Sequence, residues 1–261
     1  MNELRFDRPD GIELVARTRP GEGTPLVLVH GALADADAWQ QVVDAIELPN
    51  PVVVVNRRGR APSGPFGDGY SLRTEIDDLH HVLDSLGEPV VLFGHSYGGL
   101  IAQEAATERT DVRALVLYEP VVRPFGPESM APMREAVRRG DLDAALEIVN
   151  VDIARVPAAE VAELRASELW AVLRPLAAAA AEELAVINDH EPGFERYAAL
   201  DVAITLILGD RNEGVPPYGT VFDSVAAAMP RAKVVRLVDQ GHLAHVEGPE
   251  GLAAEISAAV R

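Results

Sequence analysis

The stretch Val90-Val91-Leu92-Phe93-Gly94-His95-Ser96-Tyr97-Gly98-Gly99-Leu100-Ile101-Ala102 passes from an apolar run to a helical pattern with no loop between them. Residues 90–93 read as a strand buried on both faces. A helix starts at once with Leu100, Ile101 and Ala102, so Ser96 lies at a sharp strand-to-helix turn with the spacing G-x-S-x-G. Such a turn holds its central residue in a strained conformation and projects the hydroxyl above the sheet. Gly94 and Gly98 are required because a side chain at either would strike the neighbouring strand and helix. The helix that follows turns its positive end toward the serine. His95 is expected to support the turn rather than to transfer protons.

Outward from this turn, short apolar runs rich in β-branched residues recur at 26–29, 51–55, 114–117, 204–208 and 233–238. Segments with helical spacing separate them, at 38–46, 72–86, 99–107, 221–228 and 251–260. Alternating strands and helices predict an α/β fold with a mostly parallel central sheet of about eight strands and helices on both faces. Residues 4–6 and 12–16, separated by Pro9, Asp10 and Gly11, predict a hairpin at the sheet edge. The alternation stops between residues 121 and 200, where helical stretches at 130–139, 142–149, 158–173 and 176–187 occur without a strand. The expected organisation is a core of residues 1–120 and 201–261 interrupted by a helical insertion at 121–200.

Four further segments share their order and spacing with one family. His30-Gly31-Ala32 follows the strand at 26–29. The loop Asn56-Arg57-Arg58-Gly59-Arg60-Ala61-Pro62-Ser63 follows the strand at 51–55, with Asn56 and Ala61 standing where the pattern D-x-R-G-x-G-x-S has Asp and Gly. Gly209-Asp210-Arg211-Asn212 follows the strand at 204–208. Gly241-His242, with Glu247 and Pro249, follows the strand ending near Val238. With the turn at Ser96, these segments make the chain resemble the α/β-hydrolase family.

The resemblance implies that Ser96 is the nucleophile and that His242 is the base that takes its proton and returns it to the leaving group. His245 is the competing imidazole. It implies two oxyanion donors, the backbone amides of Ala32 and Tyr97. It places the insertion as a cap over the nucleophile, following the sixth strand. The acid departs from the usual pattern, because Asn212 occupies its place and a neutral amide does not stabilise an imidazolium as a carboxylate does. Glu119, at the end of the preceding strand in Leu117-Tyr118-Glu119-Pro120, is the favoured acid, with Asp210 as runner-up and an Asn212-containing or acid-poor arrangement as the remaining alternative. Arg57, Arg58 and Arg60 are read as structural or solvated in preference to a site for a carboxylate substrate.

Composition narrows the rest. Forty-one acidic against 23 basic residues give a formal charge of -18, which repels phosphate backbones, so nucleic acid is not an expected partner. The chain has no cysteine, which removes thiol nucleophiles and cysteine metal sites. No metal-ligand cluster or phosphate-binding glycine loop stands out, and no cofactor is expected. No apolar run is long enough to cross a bilayer, and a cytoplasmic monomer or homodimer is expected. Trp170, Phe125 and Tyr218 are candidates for the substrate pocket, although aromatic residues at helical spacing more often pack an element onto its neighbour. The expected reaction is hydrolysis of a small carboxylic ester, thioester or lactone through a Ser96 acyl-enzyme. The alternatives are a lyase, a cyclase or a cofactor-free perhydrolase of the haloperoxidase-like kind on the same site, or a ligand receptor on the same scaffold.

Overall fold

A computed structural model describes all of residues 1–261. Eight strands form one sheet: β1 (Asn2–Asp7), β2 (Glu13–Arg19), β3 (Leu26–Val29), β4 (Val52–Asn56), β5 (Val90–His95), β6 (Val112–Tyr118), β7 (Ala203–Gly209) and β8 (Lys233–Leu237), in the order β1-β2-β4-β3-β5-β6-β7-β8. β1 and β2 form the expected antiparallel hairpin, and β2 runs antiparallel to β4. All pairings from β4 through β8 are parallel.

The continuous apolar runs follow from burial on both faces. Alternate side chains of one strand serve different layers. Val27, Val29, Val53, Val55 and Leu92 face the helices Leu72–Leu86 and Tyr97–Ala106. Leu26, Leu28, Val52, Val54, Val91 and Phe93 face Gln40–Ala45 and Pro249–Val260. Helix Leu72–Leu86 begins at a capping box in which Ser71 and Thr74 exchange side-chain and backbone hydrogen bonds, and ends at Gly87 in the left-handed conformation.

The segment between β6 and β7 contains helices and no strand. Two details differ from the sequence expectation. The helix expected over 158–173 is two helices, Ala158–Ala166 and Glu168–Leu173. Ser167 is extended between them, and its hydroxyl donates to the Leu164 carbonyl at 2.7 Å, the local bond by which serine competes with helix continuation. A further short helix, Phe194–Ala199, precedes β7. It is docked by Glu104, buried on helix Tyr97–Ala106, which accepts from Arg196 Nη2 at 2.5 Å, from the Gly193 amide at 3.2 Å and from the Tyr197 hydroxyl. Burial pushes the Glu104 carboxyl up, but the bonds from His190, Tyr197 and the Gly193 amide outweigh it and hold it down at about 2.

The chain leaves β3 to one side, forming β4, and then returns to form β5 on the other side. That reversal opens a crevice at the carboxyl ends of β3 and β5, where open α/β sheets place their sites. The parallel register pairs Val29 with Gly94. Two residues further along both strands, Gly31 therefore meets Ser96.

Candidate active site

Ser96 has φ 54° and ψ -122°, a conformation that L residues rarely adopt. The glycines around it show why the turn tolerates no side chains. A Cβ at Gly98 would lie 2.1 Å from the Val29 carbonyl oxygen and 2.5 Å from that of His30. One at Gly94 would lie 2.5 Å from Gly98 O, and one at Gly31 would lie 2.8 Å from Ser96 Cβ. Gly98→Ala is expected to cost about 3 kcal/mol or more, because backbone rather than a movable side chain must yield. A thermal melt checks this, and an unchanged melting temperature would contradict it.

The Ser96 amide donates to Tyr118 O at 3.0 Å, and the Val121 amide donates to Ser96 O at 3.3 Å, so the end of β6 and the turn are locked together. Ser96 is 7% exposed. No loop, turn or cap backbone hydrogen bond uses the Ala32 amide or that of Tyr97 as donor. Tyr97 is the first residue of its helix, where the amide lacks an intrahelical acceptor. The Tyr97 amide, next to Ser96, and the Ala32 amide, next to Gly31, are thus without a backbone acceptor in those bonds.

Behind the serine, His242 Nδ1 lies 2.7 Å from Glu119 Oε2. Glu119 is 1% exposed and is held at φ 43° by its position between β6 and Pro120. Its Oε1 accepts from the Gly209 amide at 2.9 Å, and Asn212 Nδ2 donates to Oε1 at 3.0 Å and to Oε2 at 2.9 Å. Asn212 therefore occupies the place the sequence pattern reserves for the acid, but acts as a donor that clasps the neighbouring carboxylate. No hydrogen bond or ion pair links Asp210, which opens the 3₁₀ turn Asp210–Asn212, to His242. Nor does a hydrogen bond join Ser96 Oγ to His242, a contact that commonly tightens only with substrate in place.

Three other imidazoles lie in this region, and burial disfavours the charged form of each. His245 is held down at about 3 by burial and by the proximity of His242. It stacks flat on Trp39, with ring centroids 4.9 Å apart. His30 and His95 are also pushed well below the usual imidazole range, chiefly by burial. His95 Nε2 lies 3.0 Å from the His242 carbonyl oxygen and so anchors the loop that carries His242. Of the four, only His242 pairs with a carboxylate here.

Of the pocket candidates, Tyr218 stacks on His242 with centroids 3.6 Å apart and planes at 13°, and Phe125 lies 5.7 Å from Tyr218. Trp170 instead donates its indole N–H to Asp143 at 2.7 Å, with Arg165 over its ring, both on helices of the β6–β7 segment. Clefts of about 580 and 350 Å³ lie elsewhere on the molecule, and neither is lined by Ser96, Glu119 or His242.

The three arginines are buried and paired within the protein. Arg57 bridges Glu75 and Glu183, each at 2.7 Å, and Arg58 holds Asp78 through two bonds at 2.5 and 2.6 Å. Arg60 reaches Glu183 at 2.8 Å. Asn56 spans its loop, accepting from the Ala36 amide at 3.0 Å and donating to Arg60 O at 2.8 Å.

This fold and this arrangement at the strand ends define a class. A model of the alpha/beta hydrolase family matches residues 26–255, and the chain belongs to that family. Within it, the chain is 29% identical to lipase LipV of Mycobacterium tuberculosis over 231 residues, covering 87% of this chain and 81% of that protein. It is 37% identical to the non-heme chloroperoxidase CPO-A1 of Kitasatospora aureofaciens over 92 residues, but that match covers only 34% of this chain and 33% of the chloroperoxidase. In structure it resembles an α/β hydrolase from Sphaerobacter thermophilus, with a TM-score of 0.84 at 23% identity over 99% of this chain and 100% of the other. That last likeness is one of fold. No helix is long and apolar enough to cross a membrane.

Proposed function

We propose that this protein is a serine hydrolase that cleaves a small carboxylic ester, thioester or lactone through an acyl-enzyme on Ser96. The observation that carries the reading is the bond between His242 Nδ1 and Glu119 Oε2. The Nδ1 proton donates to the carboxylate, which fixes the tautomer and leaves Nε2 as the basic nitrogen. His242 then removes the Ser96 proton as Oγ attacks the carbonyl carbon, and Glu119 stabilises the imidazolium that results. The amides of Ala32 and Tyr97 stabilise the oxyanion of the tetrahedral intermediate, each contributing about 3 kcal/mol on the scale measured by deleting such donors. Collapse breaks the bond to the leaving oxygen or sulfur, which His242 protonates, giving a free alcohol or thiol or, from a lactone, a hydroxyl on the acyl chain. Water activated by the same base then releases the acid and restores Ser96.

Residues 121–200 act in this reading as a cap over the nucleophile, with Phe125 at the His242 side through its contact with Tyr218. Trp170, turned to Asp143 and Arg165, contributes to the packing of the cap. The substrate is a small molecule, and the protein works without a cofactor.

A second reading is favoured by the chloroperoxidase match. Hydrogen peroxide in place of water would convert the same acyl-enzyme to a peracid. Short p-nitrophenyl esters assayed with and without peroxide, with product analysis, separate the two. Release of carboxylic acid as the main product, abolished in Ser96→Ala, is the expected result. Peracid as the dominant product at low peroxide would favour the second reading, and no turnover of any acyl substrate would sink both.

A further inference from the structure

We propose that Glu183, on the helix Ala177–Asp189 of the β6–β7 segment, is a positioning residue for the Ala32 amide, acting through Arg57 and Arg60. This rests on the reading of Ala32 N–H as an oxyanion donor.

The Gly31 carbonyl and the Ala32 amide belong to one planar peptide unit, so whatever fixes the carbonyl oxygen also fixes the direction of the N–H. Arg57 Nη2 donates to Gly31 O at 3.0 Å, and Arg57 Nε donates to His30 O at 3.0 Å. Arg60 Nε donates to Ala34 O at 3.2 Å. Two guanidiniums therefore hold three carbonyls that bracket the Ala32 amide. A cation on Gly31 O also polarises that peptide and strengthens its N–H as a donor.

Neither guanidinium is held by its own loop. Glu183 Oε1 accepts from Arg57 Nη2 at 2.7 Å, on the same nitrogen that binds Gly31 O, and Glu183 Oε2 accepts from Arg60 Nη2 at 2.8 Å. The Glu183 side chain is fully buried. Burial pushes its carboxyl up, but the two arginines outweigh this and keep it ionised. Glu75 holds Arg57 from the other side, at Nη1, and does not reach Arg60. Glu183 is thus the one carboxylate that both arginines share, and it comes from a helix between β6 and β7 rather than from the sheet. His30 Nδ1 also lies 2.9 Å from Gly31 O, but Glu183 alone ties both arginines, and with them the Ala32 peptide, to that helix.

Glu183→Asp and Glu183→Gln test this against the parent protein. Asp keeps the charge between the arginines, so the variant is expected to fold, but it is one methylene too short to span both. Gln keeps the length and loses the charge. With p-nitrophenyl acetate, kcat is expected to fall about tenfold to a hundredfold in both, with KM within about threefold, because a misaimed donor acts mainly on the transition state. Affinity for a trifluoromethyl ketone, whose adduct with Ser96 carries an oxyanion, should fall by the same factor as kcat/KM. A merely structural role would lower the melting temperature without this parallel. A folded Glu183→Asp protein with unchanged kcat, or a loss of kcat without loss of ketone affinity, would overturn the proposal. The parent keeps the two failures apart. If it hydrolyses the ester and the variants match it, only the role of Glu183 falls, and if the parent itself neither hydrolyses the ester nor binds the ketone, the hydrolase reading falls as well.

Discussion

His242→Ala is expected to lower kcat for ester hydrolysis by about 10⁶, while His245→Phe leaves kcat within about tenfold of the parent. The two imidazoles are three residues apart, and the sequence pattern allows either to serve. Their surroundings separate them. His242 Nδ1 meets Glu119 at 2.7 Å, whereas His245 lies flat on Trp39, is buried, and its Nδ1 has no hydrogen-bond partner. A general base must gain a positive charge in the transition state. At His245 no carboxylate stabilises that charge, and burial opposes it. Phenylalanine preserves the stack on Trp39, so the control variant keeps its fold. Steady-state kinetics on both purified proteins decide the matter, and a larger loss from His245→Phe would exchange the two roles.

Glu119→Gln is expected to lower kcat by about 10⁴ while the protein stays folded. The carboxylate accepts every hydrogen bond offered to it, from the Gly209 amide, from Asn212 Nδ2 and from His242 Nδ1. A glutamine has one oxygen, which the Gly209 and Asn212 donors claim, so its amide group turns toward His242. Nδ1 must then accept, the proton moves to Nε2, and the ring can no longer take a proton from Ser96. Adding Asn212→Asp restores a carboxylate at the place where the family usually has one, and the double variant should recover much of the lost activity. Full activity in Glu119→Gln alone would transfer the role to Asp210. No recovery in the double variant would show that position 212 cannot reach His242.

What the sequence made legible was local. The turn at Ser96 is written in adjacent residues, because Gly94 and Gly98 answer to atoms of the neighbouring strand and helix, and its positive φ follows from the turn itself. The strand positions were legible because runs such as residues 26–29 must be apolar on both faces. Asn212 could be recognised as out of place but not as a donor to Glu119, since 93 residues separate the pair. The arginines of the loop after β4 were legible as a cluster, whereas their shared partner Glu183 lies 123 and 126 positions away, in an Ala-rich helix whose pattern marks that residue as ordinary. The break at Ser167 turns on one side-chain bond that competes with an otherwise continuous helical pattern. The helix Phe194–Ala199 is under two turns long, too short to carry a period.

In the proposed mechanism everything turns on Ser96 being an activated nucleophile. The most direct measurement is reaction of the purified protein with a fluorophosphonate probe, followed by intact mass and peptide mapping. One adduct per chain is expected, on Ser96, absent in Ser96→Ala and formed much more slowly in Glu119→Gln. A folded protein that takes up no probe, or takes it up on another residue at the same rate in Ser96→Ala, would contradict it.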